Sequence, residues 1–248
     1  MNNPFGFTRS VITGRYALLT PAGFVSSARP GWTNVTAHVV ISPALGARFS
    51  QTHILFGQDG RGVGSTEHTE LFAYVLEGGC NMAVPGKKAK LVCGSYALIP
   101  PMKHWEFSHA DEGTRLLLFQ KTYVPLAIGD EPEMVIGQDS ERPGLPFLGD
   151  PDARLQTLLP DQPEFDLAVN IFTYQPGATL PMVETHVMEH GMLFLGGQGI
   201  YRIDGDWHPV QSGDVIWMAP YCPQWFVAMG KTPASYIYYK DVNRAPLK

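Results

Sequence analysis

The chain is predicted to be all-β, made of two tandem copies of one small β-module. Three observations carry this. Almost no segment keeps an apolar period of 3.6 over three turns. Short apolar or alternating runs, bounded by Gly, Pro, Asp or Asn, recur at nearly regular spacing instead. The two halves of the chain also align without a gap when Val75 is set on Phe194, an offset of 119. Many short strands separated by turn residues suit a barrel or sandwich.

Taken in order, "AHVVI" (37–41), "FAYVLEGG" (72–79), "SYALIP" (95–100) and "TRLLLFQK" (114–121) make the strands of the first copy. "LAVNIFTY" (167–174), "MLFLGG" (192–197), "DVIWMAP" (214–220) and "ASYIYYK" (234–240) make those of the second. Each is rich in β-branched, aromatic or leucine side chains, which pack well on a pleated surface. At the 119 offset "VLEGGCNMAVPG" meets "FLGGQGIYRIDG", and "CGSYALIPPMKHWEF" meets "SGDVIWMAPYCPQWF". Gly94 then falls on Gly213, Pro101 on Pro220, Phe107 on Phe226 and Lys121 on Lys240. Four matched blocks without a gap point to a duplication. The Pro/Gly/Asp-rich stretch 137–166 joins the copies, giving an N-terminal domain over 1–145 and a C-terminal domain over 146–248.

Composition excludes several classes. Hydrophobic residues make up 44% and charged residues 17% of the 248, enough for a substantial core. A formal charge of −5 offers no electrostatic footprint for nucleic acid or anionic membrane. Cys80, Cys93 and Cys222 are odd in number and widely spaced, as expected of buried free thiols. No 18-residue apolar stretch or signal-like N-terminus occurs, so a cytoplasmic protein is expected. The aromatic-rich strands leave room for a homo-oligomeric interface.

The chemistry concentrates in "VETHVMEHG" (183–191). On a strand, Glu184, His186 and His190 share one face, while Thr185, Val187 and Glu189 share the other, where Glu189 is expected to be solvated. Inside a small barrel such groups would be costly to bury unless a metal joined them. At the 119 offset their counterparts are Ser65, Glu67 and Leu71, and Gln224 meets Trp105. One copy is therefore expected to be active and the other scaffold. A shifted alignment would bring His68 and His104 into play.

These residues carry a family resemblance. "GATLPMVETHVMEHGMLFLGG" and "GDVIWMAPYCPQWF" resemble the two-part motif of the cupin superfamily, G-x5-HxH-x3-E-x6-G and G-x5-P-x-G-x2-H. Glu184 takes the place of the first His, His190 that of the Glu, and Gln224 that of the last His. The resemblance implies two tandem cupin barrels, small jelly-rolls, with Glu184, His186, His190 and Gln224 as metal ligands. A 2-His-1-carboxylate set with an amide oxygen suits Mn²⁺ or Fe²⁺ better than a closed zinc site. The Glu-x-His-x3-His variant, the later Gln224 and the endings "DVIWMAPYCPQWF" and "YIYYKDVNR" are similar to the (S)-ureidoglycine aminohydrolases. So are "YALLTPAGFV" and "FDLAVNIFTYQPGA" earlier in the chain. Those enzymes are bicupins of allantoin degradation with manganese in the C-terminal cupin only.

The resemblance implies hydrolytic release of ammonia from (S)-ureidoglycine to give (S)-ureidoglycolate, with one Mn²⁺ per chain. It places Tyr201, Tyr236 and Lys240 around the substrate, and Lys240, Tyr236 and Glu184 as the candidate catalytic groups. Parity sets Tyr236 and Tyr238 on one face with Lys240, while Tyr239 points away. A lysine there could pair with the substrate carboxylate, donate a proton or form a structural ion pair. Two other readings stay open: an Fe(II) cupin dioxygenase, and a non-catalytic bicupin that binds a small molecule.

Overall fold

The structure, a computed structural model, describes residues 6–244, over which twenty strands and three short 3-10 turns are formed. In chain order the strands are β1 (Val11–Ile12), β2 (Tyr16–Leu19), β3 (Trp32–Ile41), β4 (Phe49–Ser65), β5 (Thr69–Glu77), β6 (Gly79–Val84), β7 (Lys87–Val92), β8 (Ser95–Ile99), β9 (His104–Ser108), β10 (Arg115–Thr122) and β11 (Val135–Gln138). They continue with β12 (Leu145–Phe147), β13 (Asp150–Thr157), β14 (Leu167–Tyr174), β15 (His190–Gly196), β16 (Gln198–Ile203), β17 (Asp206–Gln211), β18 (Val215–Met218), β19 (Gln224–Met229) and β20 (Ala234–Asp241). The expected all-β class is what the chain adopts. Among the described residues no helix is long and apolar enough to cross a membrane.

The chain divides into two units, and two segments depart from the expected boundary: the first residues, and Leu158–Asp166, whose Asp166 accepts from Lys121 and from the Val124 N–H of the first copy. Val25–Arg142 and Leu158–Asp166 form the first, while the residues up to Phe24, Pro143–Thr157 and the chain from Leu167 onward form the second. The first residues therefore belong to the second unit rather than to a 1–145 domain. The cause is strand pairing: β2 lies antiparallel on β18, with Ala17 opposite Trp217, and Tyr16, Ala17 and Leu18 are all buried. Arg9 completes the attachment with a two-pronged ion pair, Nη1 to Asp214 Oδ2 at 2.9 Å and Nη2 to Oδ1 at 2.8 Å. Asp214 is fully buried.

In the first unit one sheet curls in the order β11-β8-β5-β10-β4-β9-β6-β7, with β3 added on β4. Its interior is solid. Leu71, Ala73 and Val75 of β5, Leu116 and Leu118 of β10, and Trp105 and Phe107 of β9 pack on Trp32 and Phe56 in one cluster. Side chains of this size fill a small barrel completely, and each buried large apolar group contributes about 1.5–3 kcal/mol. The second unit has the sheet β1-β2-β18-β15-β20-β14-β13-β12 and the sheet β17-β16-β19. The same turn recurs in both copies. Gly78 (φ 71°) and Gly197 (φ 69°) both take the left-handed conformation, and a Cβ would stand 2.4 Å from Thr114 Oγ1 or 2.3 Å from the Pro233 carbonyl.

The interior positions follow the 119 offset except at the last strand. Leu71 corresponds to His190 and Trp105 to Gln224, but Gln120 sits opposite Leu71 and Lys240 opposite His190. The counterpart of Lys240 is thus Gln120, not Lys121. The connection from Phe226 to Tyr236 is one residue longer than that from Phe107 to Leu116, and one residue reverses the face of every side chain that follows. Lys121 therefore turns away from the first barrel's interior. It is nearly buried against Asp166, with Glu70 Oε1 3.9 Å away. Cysteine exposure also differs from expectation: Cys80 and Cys222 are buried free thiols, but Cys93 is exposed because its alternate position faces out at a turn.

Candidate active site and metal centre

The second barrel holds a cavity of about 200 Å³. Four of its strands supply the polar wall: His190 opens β15, Tyr201 lies on β16, Gln224 opens β19, and Tyr236, Tyr238 and Lys240 alternate along β20. Glu184, His186 and Met188 come from the segment before β15. The rest of the lining is apolar, with Phe172 and Met192 from the barrel, Leu180 from the approach, and Phe147 and Leu155 from the β12–β13 hairpin. All seven residues predicted for the site line this one cavity.

The expected strand over Glu184–His190 is not formed. Glu184 makes an isolated bridge to Gln224, its N–H donating to the Gln224 carbonyl at 2.9 Å and its carbonyl accepting from the Gln224 N–H at 2.9 Å. His190 instead pairs with Met218 of β18 and Lys240 of β20. Glu184 thus borders the β17-β16-β19 sheet and His190 belongs to the other sheet. The chain must cross between them, so a continuous strand is excluded. His186 is held in the crossing by the Tyr221 N–H, which donates to its carbonyl at 2.7 Å. The three side chains converge all the same.

Glu189 is also corrected, since it is buried rather than solvated. Trp217 Nε1–H donates to its carboxylate at 3.3 Å, and its own N–H donates to Asp241 Oδ1 at 2.7 Å.

The centre of the site is a contact between two imidazoles. His190 Nε2 and His186 Nε2 stand 3.2 Å apart. His190 Nδ1 lies 3.3 Å from the Tyr239 carbonyl, which can only accept, so the proton is on Nδ1 and the lone pair on Nε2. The Gln224 amide nitrogen lies 3.2 Å from His186 Nε2 and donates to it, which gives that nitrogen a lone pair as well. Burial, and secondarily His186, pushes the His190 imidazole down to about 3, and burial also lowers that of His186. Two neutral rings therefore aim lone pairs at each other, while His186 Nδ1 is buried without a hydrogen bond. Glu184 Oε2 is 3.4 Å from the Gln224 nitrogen. Burial raises its pKa, opposed by the positive charge of Lys240.

This donor set fits a divalent cation. Opposed lone pairs repel unless a cation or proton lies between them, and a buried carboxylate beside them supplies charge. Gln224 is integral to the set. Among the described residues no three His, Cys, Asp or Glu side chains gather at metal-holding distance. Glu184 is linked to the imidazoles through the Gln224 amide, which lies 3.4 Å from Glu184 Oε2 and 3.2 Å from His186 Nε2. The Gln224 amide oxygen accepts from Tyr201 Oη at 2.7 Å and keeps a second lone pair. His68 and His104 are both exposed and make no such set in the first barrel, where Leu71 and Trp105 occupy the corresponding places.

The tyrosines form the rest of the polar wall. Tyr201 and Tyr236 are buried, and burial holds both hydroxyls well above their usual pKa. Tyr236 Oη lies 3.2 Å from Tyr174 Oη, and the Asn170 amide donates to Tyr238 Oη at 3.2 Å. Tyr238 also meets the His190 ring edge to face at 5.5 Å. Sequence reasoning set Tyr238 on the correct face without giving it a place in the site, and missed Tyr174, Phe147 and Leu155. The last two lie in the stretch read as a linker, where the alternation in "LPF" and "DARLQT" was the available signal.

Comparison with known proteins gives one consistent answer. The family model "Cupin domain" matches residues 170–239, which lie wholly in the second barrel. The rice "Probable (S)-ureidoglycine aminohydrolase" (Oryza sativa subsp. japonica) is 40% identical over 244 residues, covering 98% of this chain and 78% of that protein. The Escherichia coli (S)-ureidoglycine aminohydrolase is 36% identical over 256 residues, covering 98% and 97%. The crystal structure of E. coli protein Ylba superposes with a TM-score of 0.87 at 34% identity, over 97% of both chains.

Proposed function

This chain belongs to the (S)-ureidoglycine aminohydrolase family, and from that premise we propose how its second barrel performs the hydrolysis of (S)-ureidoglycine to (S)-ureidoglycolate and ammonia. The observation that carries the reading is the convergence of Glu184, His186, His190 and Gln224 with Lys240, Tyr201 and Tyr236 on one cavity. A purely structural metal site needs no proton donors at its side.

Glu184, His186, His190 and Gln224 would hold the metal, Mn²⁺ in this proposal. When bound, it supplies a Lewis acid and a point of attachment for the substrate. The substrate carbon carries an amine, a ureido group and a carboxylate. Tyr201 and Tyr236 keep their protons at neutral pH: Tyr201 donates its own to the Gln224 oxygen and offers the substrate a lone pair, while Tyr236 acts as a hydrogen-bond donor to the substrate oxygens. Lys240 carries the mobile proton. The C–N bond breaks with its electron pair on the amine, which takes a proton from the Lys240 ammonium and leaves as ammonia. Water forms the new C–O bond and gives up one proton, which Glu184 accepts and which returns to Lys240. The apolar wall of Phe147, Leu155, Phe172, Leu180 and Met192 keeps bulk water from the second face of the carbon. Three free thiols suit a reducing compartment, and we place the enzyme in the cytoplasm.

The test is ammonia release from freshly prepared (S)-ureidoglycine by metal-stripped and Mn²⁺-reconstituted protein, with metal content measured alongside. Reconstitution restores activity at one ion per chain without O₂ consumption, and His190→Ala abolishes both uptake and turnover. O₂ uptake, or full activity in metal-free protein, would overturn the assignment.

A further inference from the structure

We propose that the β1–β2 hairpin is part of the active-site machinery, with Arg15 as a positioning residue for the metal-ligand set. The inference rests on the ligand assignment above and concerns how that set is held. Tyr221 carries the argument. The residue is 58% exposed, so packing does not fix it, and its backbone is left-handed (φ 60°), a conformation a tyrosine keeps only where its surroundings impose it. The same left-handed turn stands in the first barrel, where Met102 (φ 60°), at the 119 offset, donates its N–H to the Glu67 carbonyl at 2.7 Å, and the second copy adds the bond to Arg15. The Tyr221 N–H donates to the His186 carbonyl at 2.7 Å, and the Tyr221 carbonyl accepts from Arg15 Nη2 at 2.7 Å. One residue thus joins a proposed ligand on its inner side to the hairpin on its outer side.

The rest of the turn is bound in the same way. The Ala219 N–H donates to the Arg15 carbonyl at 2.9 Å, and Arg15 Nη1 donates to Asp204 Oδ1 at 2.9 Å. The Asp204 N–H in turn donates to the Pro223 carbonyl at 2.8 Å. Arg15 therefore grips the turn at its start and its apex, and reaches its end through Asp204. The next residue is Gln224, tied to Glu184 by the reciprocal bridge. Of the four proposed ligands, His186 is one hydrogen bond from this turn, Gln224 follows it in the chain, and Glu184 is bonded to Gln224. A guanidinium suits the task because its fixed fork serves two acceptors at once.

The hairpin is anchored independently of Arg15. Arg9 pairs with buried Asp214, and Tyr16 Oη donates to Asp206 Oδ2 at 2.7 Å. Removing Arg15 therefore leaves the hairpin docked, and removing Arg9 leaves the turn gripped. The two variants separate positioning from general support.

Metal-stripped protein is titrated with Mn²⁺ alone, and thermal unfolding and backbone amide exchange are followed in the metal-free form. Arg15→Met weakens Mn²⁺ binding roughly 10- to 100-fold, the range for losing a partner that orients a ligand. It also speeds exchange at the Tyr221 and Gln224 amides. Arg9→Met lowers the melting temperature and leaves Mn²⁺ affinity unchanged. Arg15→Lys, which reaches one acceptor but not both, falls between Arg15→Met and the parent. Undiminished binding by Arg15→Met, or an equal loss in Arg9→Met, would overturn the inference. A parent protein that takes up no Mn²⁺ would overturn the ligand assignment alone. Amide exchange then decides on Arg15, since exchange that the substitution leaves unchanged at Tyr221 and Gln224 counts against it.

Discussion

An ammonium on the inner face of a barrel strand needs negative charge nearby, or burial drives off its proton. Lys240 lies opposite His190 on β20, and its charge acts on Glu184, His186 and His190 alike. The ammonium whose charge opposes the burial-driven rise in the Glu184 pKa carries the proton proposed for the leaving amine. Lys240→Met keeps the stem and removes the proton, so ammonia release falls by roughly 10² or more, the scale of a lost general acid. Metal content stays at one per chain, because no ligand is touched. Turnover within a few-fold of the parent would remove Lys240 from the chemistry. At this scale the sequence was informative where parity applied: alternation along "YIYYK" set Tyr236, Tyr238 and Lys240 on one face, and the cavity contains all three. It was silent where contacts are made at a distance. Nothing in the chain order shows that Tyr174 meets Tyr236, or that Phe147 lines the same cavity as His190.

Elements succeed or fail by register. The gap-free repeat located the inert counterparts of His190 and Gln224 correctly, because β5 with β15 and β9 with β19 keep the same offset. It misplaced Lys121 because the one-residue excess before β20 left two lysines aligned in sequence and opposed in space. Glu184–Glu189 failed for a related reason: parity assumed one strand, whereas the segment passes from one sheet to another. The register gives two contrasting expectations. Gln120→Met removes hydrogen bonds to Arg29 and Thr69, costs on the order of 1 kcal/mol and leaves ammonia release intact. Lys121→Met leaves the Asp166 carboxylate buried without its cation and costs about 3–5 kcal/mol, again with no change in turnover per folded molecule. Urea midpoints and ammonia assays on the two variants check both. Equal stabilities would mean that Lys121 faces the barrel interior after all.

At the scale of the whole molecule, one barrel is filled and the other is hollowed for chemistry, so overall stability should draw heavily on the filled one. The duplication was legible because repeated turns and apolar runs are local. The transfer of the first residues to the second unit was not, because β2 pairing with β18 depends on partners two hundred residues apart. The filled barrel also sets an acid limit. His53 on β4 is buried, its Nε2 accepts from the Gln51 amide at 3.2 Å, and burial with help from Arg115 pushes its pKa down to about 3. The unfolded chain takes up a proton at this residue below about 6.5, and the folded chain does not until about 3. Stability from His53 is therefore complete above 6.5 and is lost as pH falls through that window, at about 1.4 kcal/mol per pH unit. Between pH 6.5 and 5 this amounts to roughly 2 kcal/mol, before most carboxylates titrate. His53→Gln retains an acceptor for Gln51 and has nothing to protonate, so its unfolding free energy should fall less steeply than the parent's over that interval. Urea titrations of both proteins at several pH values measure the difference, and parallel curves would show that His53 is protonated as readily in the fold as outside it.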